Sequence, residues 1–303
     1  MSLFLHKRIS SSAFLSPMAG YTNLPFRILC QRYSTSVTIT EFISALSLKA
    51  KPSLVPKRSE EEKLSGIQLF GGEPGHFTQI LDLIEKQFDF IDANFGCPDR
   101  KLIEQKSGAY LLNHPDKMFE IVKALKDCSS KPITCKIRLG VNKDDSIKII
   151  EKLSKAEPDA IFVHGRTVKQ HYSGKADWGA IKKLVESFPN LEIVGNGDIR
   201  SKQDFDEKLS FSGCKFALIG RAAIKNPLIF KEIATGKSFQ LSDKLKLLRE
   251  YFDICKDLDE LELNDLRLKA VAVVSGVQNA SRLRDKLVRA KSIGELTSIL
   301  NFD

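Results

Sequence analysis

The segment DANFGCPDRK places a cysteine, Cys97, between Gly96 and Pro98. Both neighbours favour turns, so the thiol is held on a bend rather than inside a regular element. Core cysteines sit among apolar neighbours, whereas Asp99, Arg100 and Lys101 follow this one. A thiol near its unperturbed pKa of about 8.5 is only a few per cent ionised at pH 7, so it carries a proton it can give. Other polar or reactive side chains recur at the ends of β-rich runs: Met18-Ala19-Gly20, Glu41, Gln68, Asn94, Lys136 with Arg138, His164 with Arg166, Asn196 with Asp198, and Gly220-Arg221. Lys136 lies between Cys135 and Ile137, and the two-residue step puts it on the same strand face as Arg138. Burying an unpaired ammonium is costly, so a bound anion beside Lys136 is the simpler explanation.

The runs that must position these groups are Ala13–Met18, Val37–Glu41, Gly66–Phe70, Phe88–Asn94, Pro132–Arg138, Asp159–His164, Leu191–Asn196 and Lys215–Gly220. Between most of them lies helical apolar spacing, as in Phe77, Ile80, Leu81 and Ile84, or Met118, Ile121, Val122 and Leu125. Strand alternating with helix predicts a parallel sheet covered on both faces. Eight such units match an α/β fold of the (β/α)8 TIM-barrel kind, whose usual size is about 250 residues. An open doubly wound sheet is the alternative, but no G-x-G-x-x-G follows the first run. In a barrel the C-terminal strand ends converge on one face, where active sites are built.

After Phe230 the pattern changes, and Leu241–Leu258, Leu261–Ser275, Asn279–Ala290 and Ile293–Leu300 read as helices. The expected division is a barrel over residues 1–236 and a C-terminal helical bundle over residues 237–303. Charge is segregated in the bundle: Asp243–Asp265 has four bases and eight acids, Arg267–Lys291 seven bases and one acid.

With 303 residues, 42% hydrophobic and 28% charged, the composition is that of a soluble globular protein. The net charge of +9 permits a polyanionic partner. No apolar run approaches the roughly 18 residues that span a bilayer. In MSLFLHKRISSS apolar residues precede the basic ones, the reverse of a secretory signal, so the expected location is the cytoplasm. Six scattered cysteines show no CxxC and no close Cys/His pairing, which predicts neither a disulfide framework nor a metal site.

Several motifs occur in order: SPMAGYTNLPFR (16–27), IQLFG (67–71), NFGCP (94–98), KIRLG (136–140), VHGRT (163–167), HYSGKADW (171–178), NGDI (196–199) and IGR (219–221). The ordered set resembles the tRNA-dihydrouridine synthases, nearest the bacterial type, over about Ala13 to Phe230. The resemblance implies FMN-dependent reduction of the uracil C5–C6 bond in tRNA, with NAD(P)H, NADPH by family habit, as transient reductant, by a monomer without metal. It implies a cofactor seat of Pro17, Met18, Ala19, Gln68, Lys136, His164, Asn196, Gly197, Asp198, Gly220 and Arg221. Gly197 and Gly220 would let the backbone approach the phosphate, and Arg221 would add a charged fork. Asn94, Arg138 and Tyr172 match positions that hold the uracil, and Cys97 matches the proton donor. The target base must leave its stack to enter the pocket. Arg282, Arg284, Lys286 and Arg289, beside the barrel mouth, would then face RNA. Tyr21 and Asn23 depart from the usual opening motif, and RLKAVAVVSG (267–276) lacks an aromatic pair that many relatives carry. The charged DRK after Pro98 is expected at the mobile edge of the Cys97 loop. A small-molecule FMN oxidoreductase of the dihydroorotate dehydrogenase kind, and a flavin-free RNA-binding barrel, are the rival readings.

Overall fold

The computed structural model describes residue 9 and residues 11–275 and 280–302. The opening basic segment and the expected helix start at Asn279 lie outside the described residues. The strands are β1 (Ala13–Leu15), β2 (Thr38–Ile39), β3 (Ile43–Ser44), β4 (Ser65–Phe70), β5 (Phe90–Asn94), β6 (Ile133–Arg138), β7 (Ala160–His164), β8 (Ile193–Asn196) and β9 (Ala217–Ile219). All pair in parallel, in the order β1-β9-β8-β7-β6-β5-β4-β2, with β3 also on β4. The ring closes where Leu15 N donates to Val37 O (3.0 Å) and Thr35 Oγ1 to Ala13 O (3.1 Å). The fold is therefore a TIM barrel of eight staves.

Two expected elements are interrupted. The second stave, read as one run over 37–41, is strand only at β2 and resumes beyond the run as β3. Between them the Thr40 hydroxyl donates to Glu41 O (2.8 Å) and accepts from Gln68 N (3.0 Å), taking over from the backbone ladder. Phe77, Ile80, Leu81 and Ile84 are all buried as expected, but they fall on two short helices, Pro74–Thr78 and Leu81–Ile84, with Ile80 at the break between them. Their spacing reported which face is covered, not whether the helix runs through.

The two-residue period sorts each strand into an outer face against the helices and an inner face in the barrel. Phe14, Phe90, Phe162, Phe216 and Leu218 form part of a separate inner cluster. Gly66 makes room for it, since a Cβ there would lie 2.3 Å from the Phe90 ring. Stepping by two along the inner face leads to polar groups: Phe90 to Asp92 and Asn94, Phe162 to His164, Val194 to Asn196, Thr134 to Lys136 and Arg138. The ladder sets Asn94 opposite Lys136, Arg138 opposite His164, and His164 opposite Asn196. The apolar layer closes the barrel below, and the polar layer opens above it.

Helix Ile229–Thr235 stops at Gly236, whose φ of 71° only glycine adopts freely. Four helices follow: Leu241–Asp257, Leu263–Val274, Ala280–Arg289 and Ile293–Leu300. The first packs on Leu24–Arg32 and the second on Arg221–Lys225, so the bundle touches the barrel through those two. Asn23 is the seam. Its Oδ1 caps helix Leu24–Arg32 through Phe26 N, and its Nδ2 donates to the Tyr251 hydroxyl (3.0 Å). Tyr251 in turn donates to Asp265, which also accepts from Lys269 Nζ at 2.9 Å. Lys269 is only 2% exposed, with its ammonium 5.0–5.5 Å from the rings of Phe26, Tyr21 and Tyr251. Tyr21 and Asn23, which depart from the common motif, thus dock the bundle. Removing one partner of a buried pair is strongly destabilising, so Lys269→Ala is expected to cost about 3 kcal/mol. A lowered melting temperature checks this; an unchanged one would show that the cage carries no stability.

Candidate active site

The inner strand ends open into a cavity of 1260 Å³. That exceeds the about 300–1,000 Å³ typical of a single-ligand pocket, leaving room for two ring systems. Pro17, Met18, Ala19, Gln68, Asn94, Cys97, Lys136, Arg138, His164, Tyr172, Asn196, Gly197, Asp198, Gly220 and Arg221 all line it. Every residue expected at the cofactor and the base is thus gathered at one place. Glu41 is not on its wall.

Cys97 is half-buried in the loop after β5. The loop is fixed by backbone contacts: Asn94 Oδ1 accepts from Gly96 N (3.1 Å) and Cys97 N (3.0 Å), and Cys97 O accepts from Ala109 N (2.9 Å). Arg138 Nε ties in Gly96 O at 3.0 Å. Burial raises the thiol pKa. A backbone N–H of Asp99 and the charges of Arg138 and Lys136 oppose that, while Asp99's own charge adds to it. The thiol therefore keeps its proton at neutral pH. In the DRK that follows, Asp99 Oδ1 accepts from Lys101 N (2.8 Å) and starts helix Arg100–Glu104. An aspartate ahead of two helical residues is a cap signal.

Lys136 meets only an amide oxygen, Asn196 Oδ1 at 3.2 Å, with no carboxylate in ion-pair reach among the described residues. Asn196 is itself anchored by Nδ2 on Leu218 O (2.8 Å). Burial first, then the nearby Arg138 charge, bring the ammonium down to about 8, with Asp92 and Cys97 opposing. At neutral pH it remains mostly charged, a cation waiting for electron-rich company. That fits a ring whose edge gathers negative charge.

His164 is buried, and its Nε2 faces Arg166 Nη1 at 3.3 Å. A guanidinium can only donate, so Nε2 accepts and Nδ1 carries the ring proton. Burial, then the charges of Lys136, Arg138, Arg166 and Arg221, hold the imidazole well below the ordinary histidine range. It is a neutral donor.

Sequence reasoning quoted Arg166 in VHGRT but gave it no role. It is 1% exposed and donates to Ser173 O (3.1 Å), Gly174 O (2.8 Å) and Asp198 Oδ2 (2.6 Å), so it shapes the HYSG loop. Its two-residue step from His164 was the available signal. Asp198 is occupied by Arg166, by Ala176 N (2.7 Å) and by Arg221 (3.1 Å). As an anion it can serve a phosphate only through its backbone, and it competes for Arg221. Gly197 is explained within the protein: its φ is +133°, and a Cβ would meet that of Ala176 at 2.5 Å.

Tyr172 is 59% exposed, too open to be a packing aromatic. The Arg221 guanidinium lies 4.5 Å from its ring centre and that of Arg138 5.7 Å. Arg138 also spans loops by Nη1 to Thr167 O (3.1 Å) and His171 O (2.9 Å). The four residues of the expected basic helix, Arg282, Arg284, Lys286 and Arg289, are exposed and none is on the cavity wall; their helix packs on Leu263–Val274 and Ile293–Leu300. The bundle reaches the cavity wall through Lys244 and Ala272. Arg289 pairs with Asp285, whereas Arg282, Arg284 and Lys286 meet no carboxylate among the described residues.

No helix among the described residues is long and apolar enough to cross a membrane. None of their His, Cys, Asp and Glu side chains group in threes fit to hold a metal.

Comparison with known proteins agrees with this geometry. The solved structure of histamine dehydrogenase from Rhizobium sp. 4-9 superposes with a TM-score of 0.53 at 13% identity, over 80% of this chain and 49% of that one, and shares the fold. A protein named "Probable tRNA-dihydrouridine synthase" from Aquifex aeolicus is 36% identical over 301 residues, covering 93% of this chain and 92% of its own length. A tRNA-dihydrouridine(47) synthase from Coprinopsis cinerea, whose name specifies NAD(P)(+), is 34% identical over 263 residues, 79% of this chain but 39% of the longer fungal protein. A family model described as "Dihydrouridine synthase (Dus)" matches residues 14–296, barrel and bundle together. The chain belongs to the dihydrouridine synthase family.

Proposed function

We propose that this protein reduces the C5–C6 bond of uridines in tRNA to 5,6-dihydrouridine. The observation that carries the reading is the placing of a protonated thiol, Cys97, and an unpaired ammonium, Lys136, on the wall of one cavity large enough for two ring systems. When bound, flavin mononucleotide supplies the hydride for C6 and is recharged by transient NADPH. Lys136 and Gln68 are suited to its polar edge, Pro17, Met18 and Ala19 to its ring, and His164, Gly197, Gly220 and Arg221 to its phosphate side. Asn196 steadies Lys136.

Asn94, Arg138 and Tyr172 hold the uracil. Asn94 has one amide N–H to spare, and Tyr172 offers an open ring face between two guanidinium groups. Cys97 gives its proton to C5, and the hydrogen-bonded loop keeps the sulfur at one height. The barrel, residues 1–236, is the catalytic unit. Residues 237–303 hold the RNA, with Arg282, Arg284, Lys286 and Arg289 turned to phosphates while the target base is extruded into the pocket. The enzyme works as a cytoplasmic monomer.

Mass spectrometry of unmodified tRNA treated with the protein and NADPH tests the reading. The expected result is a uridine that gains two hydrogens. An unchanged tRNA, with a flavin-loaded protein, would overturn it.

A further inference from the structure

Asp92 has no task in the chemistry above, yet it is fully buried directly beneath it. It lies on β5 two residues before Asn94, on the same inner face, with 0% exposure. Its oxygens accept from Thr134 Oγ1 (2.7 Å) and Gln68 Nε2 (2.6 Å). Burial pushes its pKa up to about 6, with those two hydrogen bonds and the Lys136 charge opposing, so it is ionised at neutral pH. An ionised carboxylate only accepts hydrogen bonds. Gln68 must therefore turn its nitrogen to Asp92 and its oxygen away, where Oε1 accepts from Asn94 Nδ2 at 2.8 Å. Asn94 is then fixed as well, its Oδ1 toward the N–H groups of Gly96 and Cys97.

We propose that Asp92 is a positioning residue that sets the polarity of the Gln68–Asn94 amide pair, and through it both the Cys97 loop and the kind of ring edge the cavity accepts. Each amide nitrogen has two hydrogens, and one is spent inside the chain. The hydrogens that remain belong to two cavity-lining residues, so this part of the wall is a donor edge. It favours oxo groups over amino groups, a uracil-type over a cytosine-type ring. That last step rests on the proposed function; the effect on the loop does not.

A relay of this kind can be reversed. In Asp92→Asn the new amide has two settings. With its oxygen on Thr134 it offers an N–H to Gln68, so Gln68 flips, then Asn94, and the Asn94 nitrogen confronts the Gly96 and Cys97 N–H groups; with its N–H on the Thr134 hydroxyl it leaves Gln68 as it is. Gln68→Glu alone sets two carboxylates against each other. The double variant Asp92→Asn/Gln68→Glu restores every internal bond, since the carboxylate introduced at position 68 accepts both from the amide introduced at position 92 and from Asn94.

The measurement is the pH profile of Cys97 alkylation by iodoacetamide, resolved by peptide mass spectrometry, with melting temperature and the kcat and KM for tRNA alongside. Gln68→Glu is expected to shift Cys97 alkylation by about threefold or more. The double variant should return it to the wild-type profile and melt above Gln68→Glu. Its flavin affinity is expected to stay lowered, because residue 68 no longer has an N–H for the flavin edge. A double variant worse than Gln68→Glu, or Gln68→Glu with wild-type alkylation, would overturn the proposal. Should a single variant fail to fold, recovery of folding and alkylation in the double decides the matter. Alkylation needs no turnover, so a protein inactive on tRNA would refute the proposed function and leave this test standing.

Discussion

Cys97→Ala is expected to lower dihydrouridine formation by about 10²–10⁴-fold, the usual contribution of a general acid, and to leave flavin bound. The separation of the two effects follows from the loop. Asn94 Oδ1, Ala109 N and Arg138 Nε hold residues 96 and 97 through backbone atoms, and none of these bonds uses the sulfur. Alanine therefore keeps these bonds and removes the thiol, with its proton and its contact from Asp99 N. The groups assigned to the flavin, Gln68 and Lys136, sit on β4 and β6 and lose no bond. Burial has already raised the thiol pKa, so the wild-type enzyme meets its substrate with the proton in place. Single-turnover rates of variant and wild type, with flavin absorbance in the same samples, make the comparison. Wild-type turnover in Cys97→Ala would sink the assignment.

The barrel was legible because the period of two is a local property. Phe90, Asp92 and Asn94 must share a face whatever surrounds them, so polar strand ends could be counted before any contact was known. The same reasoning could not rank them. Asn94, read as a uracil ligand, spends most of its amide on the Cys97 turn, a fact that depends on how Gln68 approaches from the neighbouring strand. Asp92 was passed over because a lone acid inside FDFIDAN has no local signature of its role. Asp198 was grouped with the phosphate loop by its NGDI context, whereas Arg166 claims its carboxylate from 32 residues away. The basic helix shows the same limit. Its charge was visible in sequence, but which helices it packs on, Leu263–Val274 and Ile293–Leu300, was not.

Lys136→Met moves two measurements in opposite directions, which makes it the sharper probe of the cofactor seat. In the protein by itself the ammonium is a cost. It is largely buried, pushed down to about 8, and repaid only by the Asn196 amide at 3.2 Å. Methionine fills the same stem without the charge, so the apoprotein is expected to melt no lower than wild type. Flavin affinity should fall, because a charge-assisted hydrogen bond worth about 1.5–3 kcal/mol is lost, on the order of 10- to 100-fold in Kd. A side chain that merely filled the barrel would lower stability and leave affinity alone. Melting of the apoprotein and a fluorescence titration with flavin mononucleotide read the two quantities separately. A variant that melts lower yet binds flavin as tightly as wild type would reject Lys136 as the cation of the seat. The opposite pattern would mean that the barrel tolerates a buried charge for the sake of the ring that neutralises it.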